Sequence, residues 1–303
     1  MRLSPILLAT LVALVPAAAP RAAPAGAAQA AEAALESIIL MQVEGVVTIE
    51  PDGTVGGLSF DTKFEDALRG ALESKMRAWR FKPVLVAGQA RRAQTPFRVM
   101  LAAGRLDGQY QVRIDDTGFG GVDGTKAMLG AVVPDGVAPP ITAKRMVAPQ
   151  YPMTQQRAGE IGRVHLVIRV APDGRVADVL ATQSLAFDIG GRESDASASR
   201  SIHSFEVAAI AAARRWTFKV PASAAARSAS DMTVSTDVEY VMRYDTTVAG
   251  QWIAVKRAPK RPVAWLPPEQ ADGTGAGMSA AGEVAGVNSP YRLATSVAGN
   301  VVM

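Results

Sequence analysis

The run Val164-His165-Leu166-Val167-Ile168-Arg169-Val170, followed at once by Pro172-Asp173-Gly174, restricts this chain more than any other feature. Val164, Leu166, Ile168 and Val170 fall on one face of an extended chain and His165, Val167 and Arg169 on the other. That period of two predicts a strand buried on one side, with His165 half-exposed. Pro-Asp-Gly predicts a tight turn, and hence a hairpin returning through Arg175 to Thr182. Upstream, Pro152 at a first helical position and Gly159 at the end predict a short helix. Downstream, Ala186–Ser201 is polar and rich in glycine and serine, which predicts a loop. Ser204 as cap, Glu206 in the first turn and Arg214 and Arg215 in the last predict a second helix, closing on Trp216-Thr217-Phe218. Val234, Thr236, Val238, Tyr240, Met242 and Tyr244 then alternate with Ser235, Asp237, Glu239, Val241 and Arg243. The pattern is that of a half-buried strand with outward charges, a common defence of a sheet edge.

A weaker version of this pattern lies nearer the start. Ile38–Ile49 is apolar and β-branched, Pro51-Asp52-Gly53 signals a turn, and Thr54–Leu58 is the returning strand. Thr62 and Glu65 have capping-box spacing, and Phe64, Leu68, Leu72, Met76 and Trp79 recur at helical spacing. Trp79-Arg80-Phe81-Lys82-Pro83 leaves that helix, and Thr95–Leu101 alternates as another strand. Arg91-Arg92 reads as a solvated turn. Asp107-Gly108 signals a hairpin whose return carries Tyr110, Val112 and Ile114. Gly118-Phe119-Gly120-Gly121 lacks the strand, helix and lysine that frame a phosphate-binding loop, and 118–147 reads as a linker.

With 303 residues the chain has room for about two domains. It contains no cysteine, which excludes disulfides, thiol catalysis and cysteine-based metal sites, and its two histidines leave little for zinc. No metal and no cofactor is expected. Arg2 followed by the apolar run Pro5–Val15, with Ala28-Gln29-Ala30 as a small-x-small site, predicts a cleaved export signal over 1–30 and a location outside the cytoplasm. The alternative is an uncleaved N-terminus anchored in the inner membrane. Export argues against nucleic acid as the partner of the mild positive charge, +4 overall.

The matching residues Pro149-Gln150-Tyr151-Pro152, Gly162 with its strand, Pro172-Asp173-Gly174-Arg175-Val176 and Arg214-Arg215-Trp216-Thr217-Phe218 cover most of 148–246, in order. In this the chain resembles the C-terminal domain of the TonB family, the periplasmic ends of energy transducers. The resemblance implies a module that grips TonB-dependent outer-membrane transporters by pairing their short N-terminal box with a sheet edge. The implied contacts are Gln150, Tyr151 and Pro152 with Val234, Thr236, Val238 and Tyr240 on the last strand. Asp52, Gly53, Trp79 and Phe81 answer Asp173, Gly174, Trp216 and Phe218, so 31–117 looks like a divergent second copy. Family transducers keep an uncleaved membrane helix with a functional histidine and a long proline-rich spacer. Here the apolar run has no histidine and leads straight into a folded module, which argues against direct coupling to proton motive force.

The expected fold is α+β, two small modules each with a helix or two packed on an antiparallel sheet of about three strands. Residues 247–303 read as a basic, low-complexity, largely disordered tail, in which Gln251–Val255 adds a short strand and Lys256–Arg261 is a solvated linker. The expected function is that of a periplasmic strand-pairing protein serving energy-dependent transport, and not an enzyme. An envelope scaffold binding other envelope proteins or peptidoglycan is the alternative, and a homodimer paired edge to edge is a further arrangement the last strand admits. Ser201, His203 and Ser204 near Asp188 and Asp195 hold the raw groups of nucleophilic catalysis but lie in a polar stretch without the positioning a triad needs.

Overall fold

The computed structural model of the chain describes residues 34–106, 108–120, 141–188, 194–221, 228–242, 249–268, 270 and 284–303. The expected export signal, residues 121–140 of the expected linker and Tyr244 of the expected last strand lie outside them.

The fold is α+β and mostly antiparallel sheet. In the first half, β1 (Glu36–Ile49), β2 (Val55–Phe60), helix α1 (Asp66–Arg77), the ribbon β3 (Leu85–Val86) and β4 (Gln89–Ala90), β5 (Ala93–Leu106) and β6 (Gln109–Phe119) follow in order. The second half has β7 (Thr142–Arg145), α2 (Met153–Ala158), β8 (Gly162–Val170), β9 (Val176–Phe187), α3 (Asp195–Ala213), β10 (Thr217–Lys219) and β11 (Thr233–Tyr240). Two further strands, β12 (Ile253–Arg257) and β13 (Ala285–Gly286), come after it.

Both halves contain a hairpin, a helix and a returning strand that pairs with the first strand of the hairpin. The resulting orders are β2-β1-β5 and β9-β8-β11. Their turns coincide atom for atom in type. The Gly53 amide donates to Glu50 O at 2.9 Å and the Gly174 amide to Ala171 O at 2.9 Å. Asp52 accepts from the Thr54 amide at 2.9 Å, and Asp173 from the Arg175 amide at 3.0 Å. Phe81 and Phe218 each donate a backbone N–H to the turn glycine's carbonyl at 2.8 Å. Both glycines sit at φ +83°, the left-handed region that only glycine enters without strain. A Cβ there would lie 2.1 Å from Phe81 O in one turn and 2.2 Å from Phe218 O in the other. The Pro-Asp-Gly and Trp-x-Phe signals are therefore two ends of one local structure.

Packing follows the apolar patterns. Leu68, Leu72 and Met76 of α1 are buried against Met41, Val43, Val99 and Leu101, and Trp79 and Phe81 meet the Phe119 ring edge-on at centroid distances of 6.0 and 4.9 Å. In the second half Phe205, Ala209, Ala212 and Ala213 of α3 pack on Val164, Leu166, Ile168 and Val238, with Trp216 and Phe218 beside them.

Several expectations are corrected. The halves are not separate modules: one nine-stranded sheet runs β13-β11-β8-β9-β12-β1-β5-β6, with β2 on β1 next to β12. The join is β12, paired with Glu36–Leu40 of β1 on one side and Leu185–Phe187 of β9 on the other. Lys256–Arg261 is thus no solvated linker. Arg257 pairs with Glu36 at 2.7 Å and with Asp115, Lys256 with Asp195 at 2.8 Å, Lys260 with Asp116 at 3.1 Å and Arg261 with Glu206 at 3.0 Å. The described parts of the tail pack as well: Val263 and Leu266 are buried against Val167, and Tyr291, Val297 and Val302 join the first core.

In the expected linker, Thr142–Arg145 pairs with β10, and β6 runs on through Gly118 and Phe119. The expected loop Ala186–Ser201 is largely structured, because β9 reaches Phe187 and α3 begins at Asp195, nine residues before Ser204. Ser194, not Ser204, caps it by accepting from the Ser197 amide at 3.2 Å. Thr62 spends its hydroxyl on the Glu44 amide at 2.8 Å instead of capping α1, whose N-cap Glu65 makes no side-chain cap bond. Pro152 is the N-cap of α2, one position earlier than expected, and Gly159 ends that helix at φ +71° as expected.

Candidate partner-binding surface

The segment Pro149-Gln150-Tyr151-Pro152 is tied down just ahead of α2. The Trp216 indole donates to Val147 O at 2.8 Å, and the Tyr151 hydroxyl donates to the carbonyl of Glu160, closing the chain over α2. Tyr151 meets the rings of Phe205 and Tyr240 edge-on at 5.9 and 5.3 Å, and those two stack at 4.5 Å. Burial raises the Tyr151 phenol to about 12, with the nearby Glu160 carboxylate adding to the rise, and burial raises Tyr240 further. Tyr240 donates its hydroxyl to Phe205 O at 3.0 Å. Tyr151 and Tyr240 are therefore brought together, from positions 89 apart, by a shared aromatic contact with α3. Gln150 stays exposed, and Pro152 is half-buried.

The other expected contacts, Val234, Thr236 and Val238, lie on β11 with their side chains in the core, at 1%, 0% and 6% exposure. The structure corrects the reading of β11 as an edge with charges facing water. Its second face is covered too, since Asp237 is 2% exposed and pairs with His165 Nδ1 at 2.7 Å, directly opposite on β8. Glu239 pairs with Arg163 at 2.5 Å. Burial pushes the Asp237 carboxyl up, but His165, then Arg163 and Arg98, outweigh it and hold the group below its ordinary value. Arg163 also donates to Gln42 at 3.3 Å, and Gln42 to Glu44, which pairs with Arg98 at 2.7 Å. A polar chain thus links β11 and β8 to β1 and β5. The charges that looked like edge protection are a buried network, legible only once each strand's cross-strand neighbour is known.

On its outer side β11 pairs with β13 through Val234 and Ser235. Among the described residues no strand pairs with that side from Thr236 to Tyr240. At the opposite end of the sheet, Val112 and Ile114 of β6 exchange backbone hydrogen bonds of 2.7–3.4 Å with Gly299–Met303.

Ser201 and His203 are not brought together: Ser201 is buried and donates to Glu160 at 2.5 Å, while His203, two residues on along α3, is exposed. Among the described residues there is no grouping of three or more His, Asp or Glu that could hold a metal ion, and no helix long and apolar enough to cross a membrane. No family model, curated protein or solved structure matches the chain.

Proposed function

We propose that this is a TonB-like periplasmic protein that takes up an extended peptide from a TonB-dependent outer-membrane transporter, or from another envelope protein, along the outer side of β11. The observation that carries the reading is the arrangement of the second half. There a hairpin, a helix and a returning strand give the order β9-β8-β11, and the Gln150–Pro152 segment sits at the end of β11 through Tyr151 and Tyr240. In β-strand addition the backbone supplies affinity and side-chain pockets supply selectivity. Tyr151, half-buried and fixed against the buried rings of Phe205 and Tyr240, gives such a peptide one positioned aromatic side chain beside an exposed Gln150. The repeated turn supports a divergent second copy in the first half, whose outer strand β6 already holds Gly299–Met303.

The test is titration of the full exported chain with transporter box peptides, followed by amide NMR. Shifts confined to Gln150, Tyr151 and Thr236–Tyr240 are expected; unchanged signals there, with shifts elsewhere or nowhere, refute the reading.

One observation favours a second reading, an envelope scaffold not coupled to proton motive force. The tail fills part of β11's outer side and bonds the backbone of Val112 and Ile114 on the outer side of β6, so the protein covers part of its own edges. Sedimentation with peptidoglycan sacculi, in the absence of any peptide affinity, would select it.

A further inference from the structure

The ends of α3, β7 and β10 together make a concentrated positive surface. Arg145 of β7 opposes Thr217 of β10, Lys219 opposes Thr142, and Lys144 lies at the bulge between the two pairings. Arg175 bridges Thr217 from the other side, which places Arg145 and Arg175 on flanking strands of the same short ribbon. Arg214, the C-cap of α3, and Arg215 just beyond it come immediately before the ribbon rather than in the helix's last turn, and all six cations are exposed. Among the described residues the one ion pair these six make is that of Arg175 with Asp173, at 3.6 Å, and Asp173 is itself 60% exposed. Six cations against one carboxylate leave +5, more than the +4 of the whole chain.

Arg98, Arg163, Arg169, Lys256, Arg257, Lys260 and Arg261 each hold an acidic side chain, whereas Lys144, Arg145, Arg214, Arg215 and Lys219 hold none among the described residues. The negative end of α3 accounts for Arg214 and Arg215. It does not account for the three cations on the ribbon.

Exposed apolar side chains lie near these cations along the chain. Val147 is 44% exposed, with its backbone held by Trp216, and Met153 at the start of α2 is 53% exposed. Val207 is 54% exposed and stands seven residues before Arg214, on the same stripe of α3. The aromatics here are buried: Trp216 and Phe218 are both 3% exposed, so no ring is offered on which a nucleic-acid base could stack. Clustered cations bordered by exposed aliphatic side chains are what an anionic lipid surface attracts.

We propose that the β7–β10 ribbon and the end of α3 form a site that holds the protein on an anionic phospholipid surface. The site is built from different residues than the peptide edge, and its test does not depend on peptide binding. Arg145 and Val147 directly precede the Gln150–Pro152 segment, so membrane contact would bring that segment close to the bilayer.

The experiment is flotation of the full exported chain with vesicles of phosphatidylethanolamine alone or with one quarter phosphatidylglycerol. Binding is expected only to the vesicles containing phosphatidylglycerol, and is expected to fall steeply as salt shortens the screening length. The variant Lys144→Gln/Arg145→Gln/Lys219→Gln, whose side chains are exposed and outside the ion pairs, should bind roughly a hundredfold more weakly. The matched variant Lys75→Gln/Lys82→Gln/Arg91→Gln, which removes the same charge from the first half, should bind within about threefold of the unaltered chain. Unchanged circular dichroism melts show that both variants are folded. Equal loss in the two triples, binding to phosphatidylethanolamine alone, or tighter binding to single-stranded DNA than to the anionic vesicles would each overturn the proposal.

Discussion

Arg257→Met tests whether the basic run after β12 is a surface feature or a structural one. The Arg257 side chain is 11% exposed and lies between Asp115, 13% exposed, and Glu36, 48% exposed. Burial works against its charge, but the hydrogen bond and charge of Asp115, followed by those of Glu36, hold the proton more firmly than usual. Removing one member of a buried pair costs about 3–5 kcal/mol because the other charge is stranded. Glu36 can return to water, so its contribution belongs with exposed pairs at about 0–1 kcal/mol. Asp115 cannot, and the backbone pairing of β12 with β1 and β9 survives, which brings the expected loss to about 2–3 kcal/mol. Urea unfolding followed by tryptophan fluorescence should show a lower midpoint with an unchanged slope. Arg257→Met/Asp115→Asn should recover about 1 kcal/mol of the loss, because the stranded charge is gone. A loss under about 0.5 kcal/mol, or strict additivity in the double variant, would mean that the run is solvated and that β12 holds through its backbone alone.

Gly53→Ala and Gly174→Ala should each destabilise by about 2–4 kcal/mol, since both combine a left-handed φ with a clash on a phenylalanine carbonyl; a difference above about 2 kcal/mol between them in urea unfolding would refute the equivalence of the turns. In the unfolded chain Asp237 takes up a proton near its ordinary value of 3.8, and in the fold only at lower pH, so its stabilisation is complete at neutral pH and disappears as pH falls through that lower range. Asp237→Asn should therefore cost about 1–3 kcal/mol at pH 7 and flatten the acid limb of stability against pH, and an unaltered acid limb would refute the pairing with His165. Tyr151, raised to about 12, keeps its stabilising contribution below its ordinary value of 10.0 and loses it as pH climbs from there to about 12, so Tyr151→Phe should shrink the alkaline loss seen by circular dichroism. Ala285→Pro weakens the pairing of β13 with β11 and should raise the affinity for transporter box peptides severalfold in calorimetric titration; unchanged affinity would place the peptide elsewhere.

How much of this was legible depended on how local each signal was. The Pro-Asp-Gly turns, Leu68, Leu72 and Met76 on α1, the Val164–Leu166–Ile168–Val170 face of β8 and the Trp-x-Phe closings rest on contacts within a few residues or on strict periodicity, and these stand where the sequence places them. The other face of β8, expected to be open at Val167, is covered by Val263 and Leu266 of the tail. The start of α3 was hidden because its buried positions there are Ala198 and Ser201, which carry almost no hydrophobic signal. Thr62 has capping spacing, but a strand amide 18 residues earlier takes its hydroxyl. Asp237 and Glu239 looked outward-facing because their partners, His165 and Arg163, lie 72 and 76 residues away. Of the candidate contacts, Tyr151 and Tyr240 meet in space, whereas the burial of β11 on both faces could not be read without the tail that covers it.

That tail changes what the two halves are. A three-stranded sheet such as β2-β1-β5 or β9-β8-β11 has two unpaired edges and would invite pairing with any extended chain. Here β12 fills the gap between the halves, β13 covers the first residues of β11, and Gly299–Met303 runs along β6. Trp265 donates to Thr233 at 3.2 Å, and Val263 and Leu266 lie against Val167, covering the face of β8 and β11 away from α3. The cover on β11 is the thinnest of these, two residues long, against five paired positions where β12 meets β1. A peptide competing for the sheet would therefore displace β13 before any other part of the tail, at Val234 and Ser235 of the strand whose other end, Tyr240, meets Tyr151. Selectivity in such an exchange would rest on the difference between two strand pairings on the same backbone, so under the proposed function a short, weakly paired β13 would both guard the edge against unspecific partners and yield it to a longer strand.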